Sequence, residues 1–233
     1  MKIIKYDNIT AQLFFKPLFT HEIALEKICN FYDLLDDMLV FNDETDEKIL
    51  NEKNFSLFKE CGYIIYLKTR NKLPYIDEQI QIIVSHSYTD DNQCSIFSLD
   101  PVIGDVAIDI INQIWKFFLI IFEYACTKLV PFMGILNVID TEREMNAITD
   151  TFPCQANDLP VFFPPAFFIK NGYLSDELFN EIKSLPAPMN KNVGNGQFIT
   201  VMPTLIETPS DIIIQHIDQL NKGKFQFGLP EFK

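Results

Sequence analysis

The sequence predicts an α+β fold with a largely antiparallel sheet. Three observations carry this. Over 76–88 the chain alternates side-chain character as a strand with one buried face does. After Pro101 a long apolar stretch has helical spacing. Strands and helices interleave without the regular βαβ order of a parallel sheet.

Taken in order, Ile9–Lys16 suits a first strand that Pro17 ends. Thr20 stands where an N-cap belongs. Leu25, Ile28, Phe31, Tyr32, Leu35 and Leu39 then follow at helical spacing, so one apolar stripe is expected through Leu39. A second short helix is expected over 46–59, and a strand over 62–68. In the strand at 76–88, Ile80, Ile82, Val84, His86 and Tyr88 form one face. Gln79, Gln81, Ile83, Ser85 and Ser87 form the other. A turn at 88–93 leads to a strand at 94–98.

Pro101 is expected to open the longest helix, 102–129. Its polar positions Asp105, Asp109, Asn112, Lys116, Glu123 and Thr127 form a narrow stripe on an apolar cylinder that holds Trp115, the single tryptophan. Strands are expected at 132–139, 166–170, 197–202 and 224–228. Helices are expected from Ser175 to before Pro186 and over 210–221. The order fits one domain over 1–233, or two related halves, about 1–100 and 130–233, joined by the helix 102–129.

The densest chemical feature is acidic. Between Asp33 and Glu47 lie Asp33, Asp36, Asp37, Asp43, Glu44, Asp46 and Glu47, with no Lys or Arg, in a chain of net charge −13. Asp46 and Glu47 suit the first turn of the helix at 46–59. Asp36 and Asp37 fall at the end of the preceding helix, where the helix dipole disfavours them by a few tenths of a kcal/mol, roughly. The segment 36–44 is therefore the part that calls for a cationic partner. The acidic balance argues against direct nucleic-acid binding and against an anionic membrane surface. The apolar run 108–122 contains Asp109 and Lys116 and falls short of a membrane span. With no signal-peptide pattern at the N-terminus and five cysteines without a CxxC pair, a cytoplasmic location is expected.

No catalytic or metal-binding motif stands out, and no cofactor or metal is expected. His21, His86 and His216 belong to no HExxH or HxxxH pattern, and GxSxG is missing. His86 reads as a core histidine. An enzymatic site around it, with nearby carboxylates, is the alternative. Asp105 and Asp109 share a helix face, read as solvent-facing. Val193-Gly-Asn-Gly-Gln197 is too short for a phosphate loop and reads as a tight turn. Phe162-Phe163-Pro164-Pro165 reads as a loop, and its exposure would suit an adaptor that docks through 160–168.

The run Pro164-Pro-Ala-Phe-Phe-Ile-Lys-Asn-Gly-Tyr-Leu174, the helix ending at Leu185-Pro-Ala187, the turn and strand Gly194-Asn-Gly-Gln-Phe-Ile-Thr-Val201 and the last helix from Pro209 resemble immunity protein family 52 of bacterial toxin systems. The resemblance covers about half the chain. It implies a non-enzymatic, cytoplasmic protein that neutralises a cognate toxin. That toxin is often a type VI secretion effector with a basic nuclease domain. The seven acidic residues of 33–47 are the expected contact patch for it.

Overall fold

A computed structural model describes residues 8–16, 19–20, 23–24, 26–27, 30, 38–41, 63–71, 79–89, 94–102, 108–139, 162–205, 209–220 and 226–227. Eleven strands are present among them: β1 Asn8–Phe15, β2 Leu39–Phe41, β3 Tyr63–Thr69, β4 Gln81–Thr89, β5 Cys94–Pro101, β6 Met133–Ile139, β7 Phe162–Phe163, β8 Ala166–Lys170, β9 Met189–Val193, β10 Gly196–Thr200 and β11 Gln226–Phe227. Three helices are bounded in full: α1 Ile108–Leu129, α2 Asp176–Lys183 and α3 Asp211–Gln219. Nine strands form one sheet in the order β2-β3-β4-β5-β1-β6-β8-β10-β9, and every pairing in it is antiparallel. The fold is α+β.

Strand register separates the sheet into two faces. Ile9, Ala11 and Leu13 of β1 stand opposite Val138, Leu136 and Gly134 of β6, while Ala11 and Leu13 stand opposite Leu99 and Phe97 of β5. All of those apolar side chains are buried. This is the face on which α1 packs. A Cβ on Gly134 would meet Cys126 Sγ at 2.9 Å and the Phe122 ring at 3.0 Å, so glycine lets the helix settle onto β6. The rings of Phe122 and Phe198 lie 5.6 Å apart, joining α1 to β10.

Helix α1 is the spine that its composition predicted. By length and composition it is long and apolar enough to cross a membrane, yet Trp115, Phe118 and Phe122 are fully buried against the sheet and its loops. Trp115 Nε1 donates to the Met202 carbonyl at 3.0 Å, which satisfies the one polar atom of that ring. The expected polar stripe is wrong at one position. Asn112 is buried, and its Oδ1 accepts from Leu205 N–H at 3.0 Å, fastening the 201–205 segment to the helix. Ile120 is 57% exposed in its place.

Other boundaries moved for identifiable reasons. Pro101 closes β5 opposite Ile82 instead of opening the helix; a strand end tolerates the missing N–H. Leu39 belongs to β2, paired with Thr69, and is not the last position of a helical stripe. Upstream, Ile23, Ala24, Glu26, Lys27 and Asn30 are helical, and Ala24 N–H bonds the Thr20 carbonyl at 3.0 Å. Phe162 and Phe163 are not loop. They form β7, which pairs parallel with β11. The expected helix 46–59 lies outside the described residues.

Strand β9 is the element that apolar periodicity missed. Met189-Asn-Lys-Asn-Val193 carries apolar side chains only at its ends. Its pairing is set by the turn Gly194-Asn195, where Gly194 takes φ +54°. A two-residue hairpin favours such a primed turn because its twist matches that of the strands.

Candidate functional site

The seven acidic residues Asp33, Asp36, Asp37, Asp43, Glu44, Asp46 and Glu47 lie outside the described residues. The chain between them is described. Met38 is a turn residue whose carbonyl accepts from Arg70 N–H at 2.7 Å, and Leu39–Phe41 follows as β2. Leu39 is fully buried opposite Thr69. Thr69 in turn accepts the Ile80 N–H on its hydroxyl at 3.0 Å and donates its own N–H to the Ile80 carbonyl at 2.9 Å. The acidic band is thus interrupted by a short strand at the outer edge of the sheet. In sequence, acidic residues stand on both sides of this three-residue edge strand.

His86 is 3% exposed. It sits on the face of β4 that Ile82 and Val84 share, opposite Tyr63 and Phe97 in register, and its ring centroid is 5.1 Å from that of Phe97. This is the core position that the strand alternation predicted.

The opposite face of β4, β5, β1 and β6 carries a polar row that sequence reasoning did not single out. Thr10 stands opposite Asn137, Gln12 opposite Ser98, and Ser98 opposite Ser85. Asp100, half-buried on β5, is hydrogen-bonded by the Thr10 side chain. Burial holds its carboxyl above the usual range, and the Thr10 bond offsets part of that rise. The signal was present in β1, where Thr10 and Gln12 alternate with Ile9, Ala11 and Leu13. Thr10 and Asn137 are buried within the row, and Gln12, Ser85, Ser98 and Asp100 are partly exposed.

The remaining candidates are dispersed. Asp109 and His216 are exposed, and His216 Nδ1 lies 2.7 Å from the Ile212 carbonyl one turn earlier. Cys126 is a buried free thiol, pushed well up by burial and further by the Glu123 carboxylate. His21 and Asp105 lie outside the described residues. Among the described residues, no group of three or more His, Cys, Asp or Glu is arranged to hold a metal ion. Gly194 and Asn195 form the tight turn expected of them, and it closes a hairpin with β9.

At the other edge of the sheet, β9 is held by its side chains. Asn190 Nδ2 donates to the Leu185 carbonyl at 2.8 Å and to the Lys183 carbonyl at 3.0 Å, which ties the strand to the end of α2. Asn190 Oδ1 accepts from Gln197 Nε2 at 2.6 Å. On the α1 face, Lys191 Nζ pairs with Glu123 Oε1 at 2.7 Å.

No protein-family model matches the chain, and no curated protein matches it. The resemblance to immunity protein family 52 therefore stands on the quoted runs alone. Among solved structures, the chain is similar to the Pseudomonas aeruginosa T6SS protein PA0821. The identity is 11% and the TM-score 0.47, over 94% of this chain and 76% of that one.

Proposed function

We propose that this protein is an immunity-type inhibitor that acts by binding, without catalysis of its own. Its partner is a cognate antibacterial toxin, a type VI secretion effector with a basic nuclease domain. Inhibition follows from covering or distorting the toxin's active site in the cytoplasm of the producing cell. The observation that carries this reading is the acidic band: seven carboxylates and no base over 33–47, in a chain of net charge −13, interrupted by the outermost strand of the sheet. Such a band repels anionic ligands and accelerates encounter with a cationic protein, an effect that weakens with salt. The sequence resemblance to immunity protein family 52 points the same way. The reading built on His86 has weaker support because that ring is enclosed, and the one built on an apolar loop at 160–168 loses its loop to β7.

The test is co-expression with the product of the adjacent gene, followed by co-purification and a titration at several salt concentrations. The quadruple substitution Asp36→Asn, Asp37→Asn, Asp43→Asn, Glu44→Gln is expected to weaken binding at least tenfold at low salt and to flatten the salt dependence. Absence of association at low salt, or unchanged affinity in the quadruple variant, overturns the proposal.

A further inference from the structure

The outer edge of β9 has the geometry of a self-pairing surface. In a two-residue hairpin the residues flanking the turn, here Val193 and Gly196, form a hydrogen-bonded pair, and the pattern then alternates along the strand. The N–H and C=O groups of Asn190 and Asn192 consequently point away from β10. No strand lies beyond β9 among the described residues. The strand runs through five consecutive register pairs, without proline or bulge. A lysine on an edge strand ordinarily guards it. Here Lys191 is drawn onto the sheet face by Glu123, and the Asn190 side chain is drawn onto the opposite face by the end of α2.

The sequence of this edge is symmetric about Lys191: Met-Asn-Lys-Asn-Val. Antiparallel pairing with an identical strand about a two-fold axis at Lys191 places each Asn190 opposite the other chain's Asn192. Each such pair exchanges two main-chain hydrogen bonds, so the junction gains about four. The two lysines meet at the axis, each paired with its own Glu123. Helix α1 adds an apolar element on the same side. Ile120 lies on the helical stripe of Glu123 and Thr127, one turn away. Those two residues adjoin β9 and its turn, through the ion pair to Lys191 and through a Gly194 whose Cβ would meet the Thr127 carbonyl at 3.2 Å. Ile120 is among the most exposed large apolar side chains described. The two-fold brings it toward its own copy.

We propose that the chain self-associates through β9, with a second copy of itself as the occupant of that edge, forming one continuous sheet across the two-fold. The experiment is analytical ultracentrifugation of the purified chain over a concentration series, with the variants Asn192→Pro and Ile120→Glu. Asn192→Pro removes an outward N–H and leaves the bonds to β10 in place, and Ile120 is exposed, so neither substitution strikes the core. The wild type is expected to dimerise, and each variant to weaken the dimer at least tenfold. Circular dichroism checks that the variants fold. Amide hydrogen exchange on the wild type needs no variant: the Asn190 and Asn192 amides should exchange slowly when concentrated and faster on dilution. A wild type that stays monomeric at high concentration overturns the proposal. So does a dimer indifferent to Asn192→Pro, or fast exchange of both amides within a dimer.

Discussion

Replacing Asn190 with alanine removes three hydrogen bonds at one stroke, and their burial sets the size of the effect. Gln197 is 2% exposed, and its Oε1 has no hydrogen-bond partner among the described residues. Without Asn190 Oδ1, the Gln197 amide loses its 2.6 Å bond as well. A buried donor left without an acceptor costs about 1–3 kcal/mol. The Leu185 carbonyl, on a buried residue, adds about 1 kcal/mol. The Lys183 carbonyl is at an exposed position, where water replaces the side chain, and it adds little. The expected loss is about 2–4 kcal/mol, a large part of the 5–15 kcal/mol or so that holds a typical domain folded.

Urea unfolding followed by tryptophan fluorescence reads this directly, since Trp115 is fully buried. With a slope of about 2–3 kcal/mol/M, the midpoint falls by roughly 1 M and the slope stays the same. A double-mutant cycle with Gln197→Leu assigns the loss to its source. In that background there is no amide to strand, so Asn190→Ala should cost about 1–2 kcal/mol less. A loss below about 0.5 kcal/mol, or additivity within about 0.3 kcal/mol, refutes the reasoning that this amide pair fastens β9 to α2 and β10.

Two further outcomes are expected. Val130, which follows α1, holds φ +51°, a conformation that a β-branched residue adopts only under strain. Because its side chain is partly exposed, Val130→Gly should raise stability by about 0.5–1 kcal/mol, seen as a rise in Tm. The Asp100 carboxyl is raised in the folded protein, so the native state binds the proton more tightly than the unfolded chain. Stability therefore falls as pH rises from the ordinary value of 3.8 through the folded pKa, then levels off, and Asp100→Asn should remove that decline in a pH series of urea midpoints.

Most of the sheet was legible because its strands are short apolar runs bounded by turn residues, with period 2 where one face is less covered, as in β4. β1, β3, β6 and β8 were expected within about two residues of where they lie, and His86 was placed on its buried face. Where the signal came from geometry in place of burial, the sequence misled. β9 exists because Gly194 turns the chain back, and its middle residues are polar. Asn112 looked like one more member of a solvent stripe. What distinguishes it is a backbone N–H at Leu205, far along the chain, which no local pattern encodes. Pro101 resembles a helix start by type, and only its pairing with Ile82 reveals a strand end. The acidic band was visible as composition, whereas the edge strand within it was not, since Leu39 fits a helical stripe as well as it fits β2.

An open sheet must manage two edges, and this one treats them in opposite ways. β2 has three residues, with acidic residues on both sides in sequence; β9 has five, with its lysine neutralised by Glu123. Eight strand spacings separate the two edges, roughly 35–40 Å. At physiological salt, charges interact appreciably over only about 8 Å. The carboxylates next to β2 in sequence therefore have little influence at β9, where Lys191 pairs with Glu123. The two proposed interactions should then be separable. Neutralising the acids of 36–44 should alter toxin affinity and leave the dimer constant unchanged, while Asn192→Pro should do the reverse. If the quadruple substitution strengthened the dimer, long-range repulsion would be acting across the sheet, and the independence of the two edges would have to be abandoned.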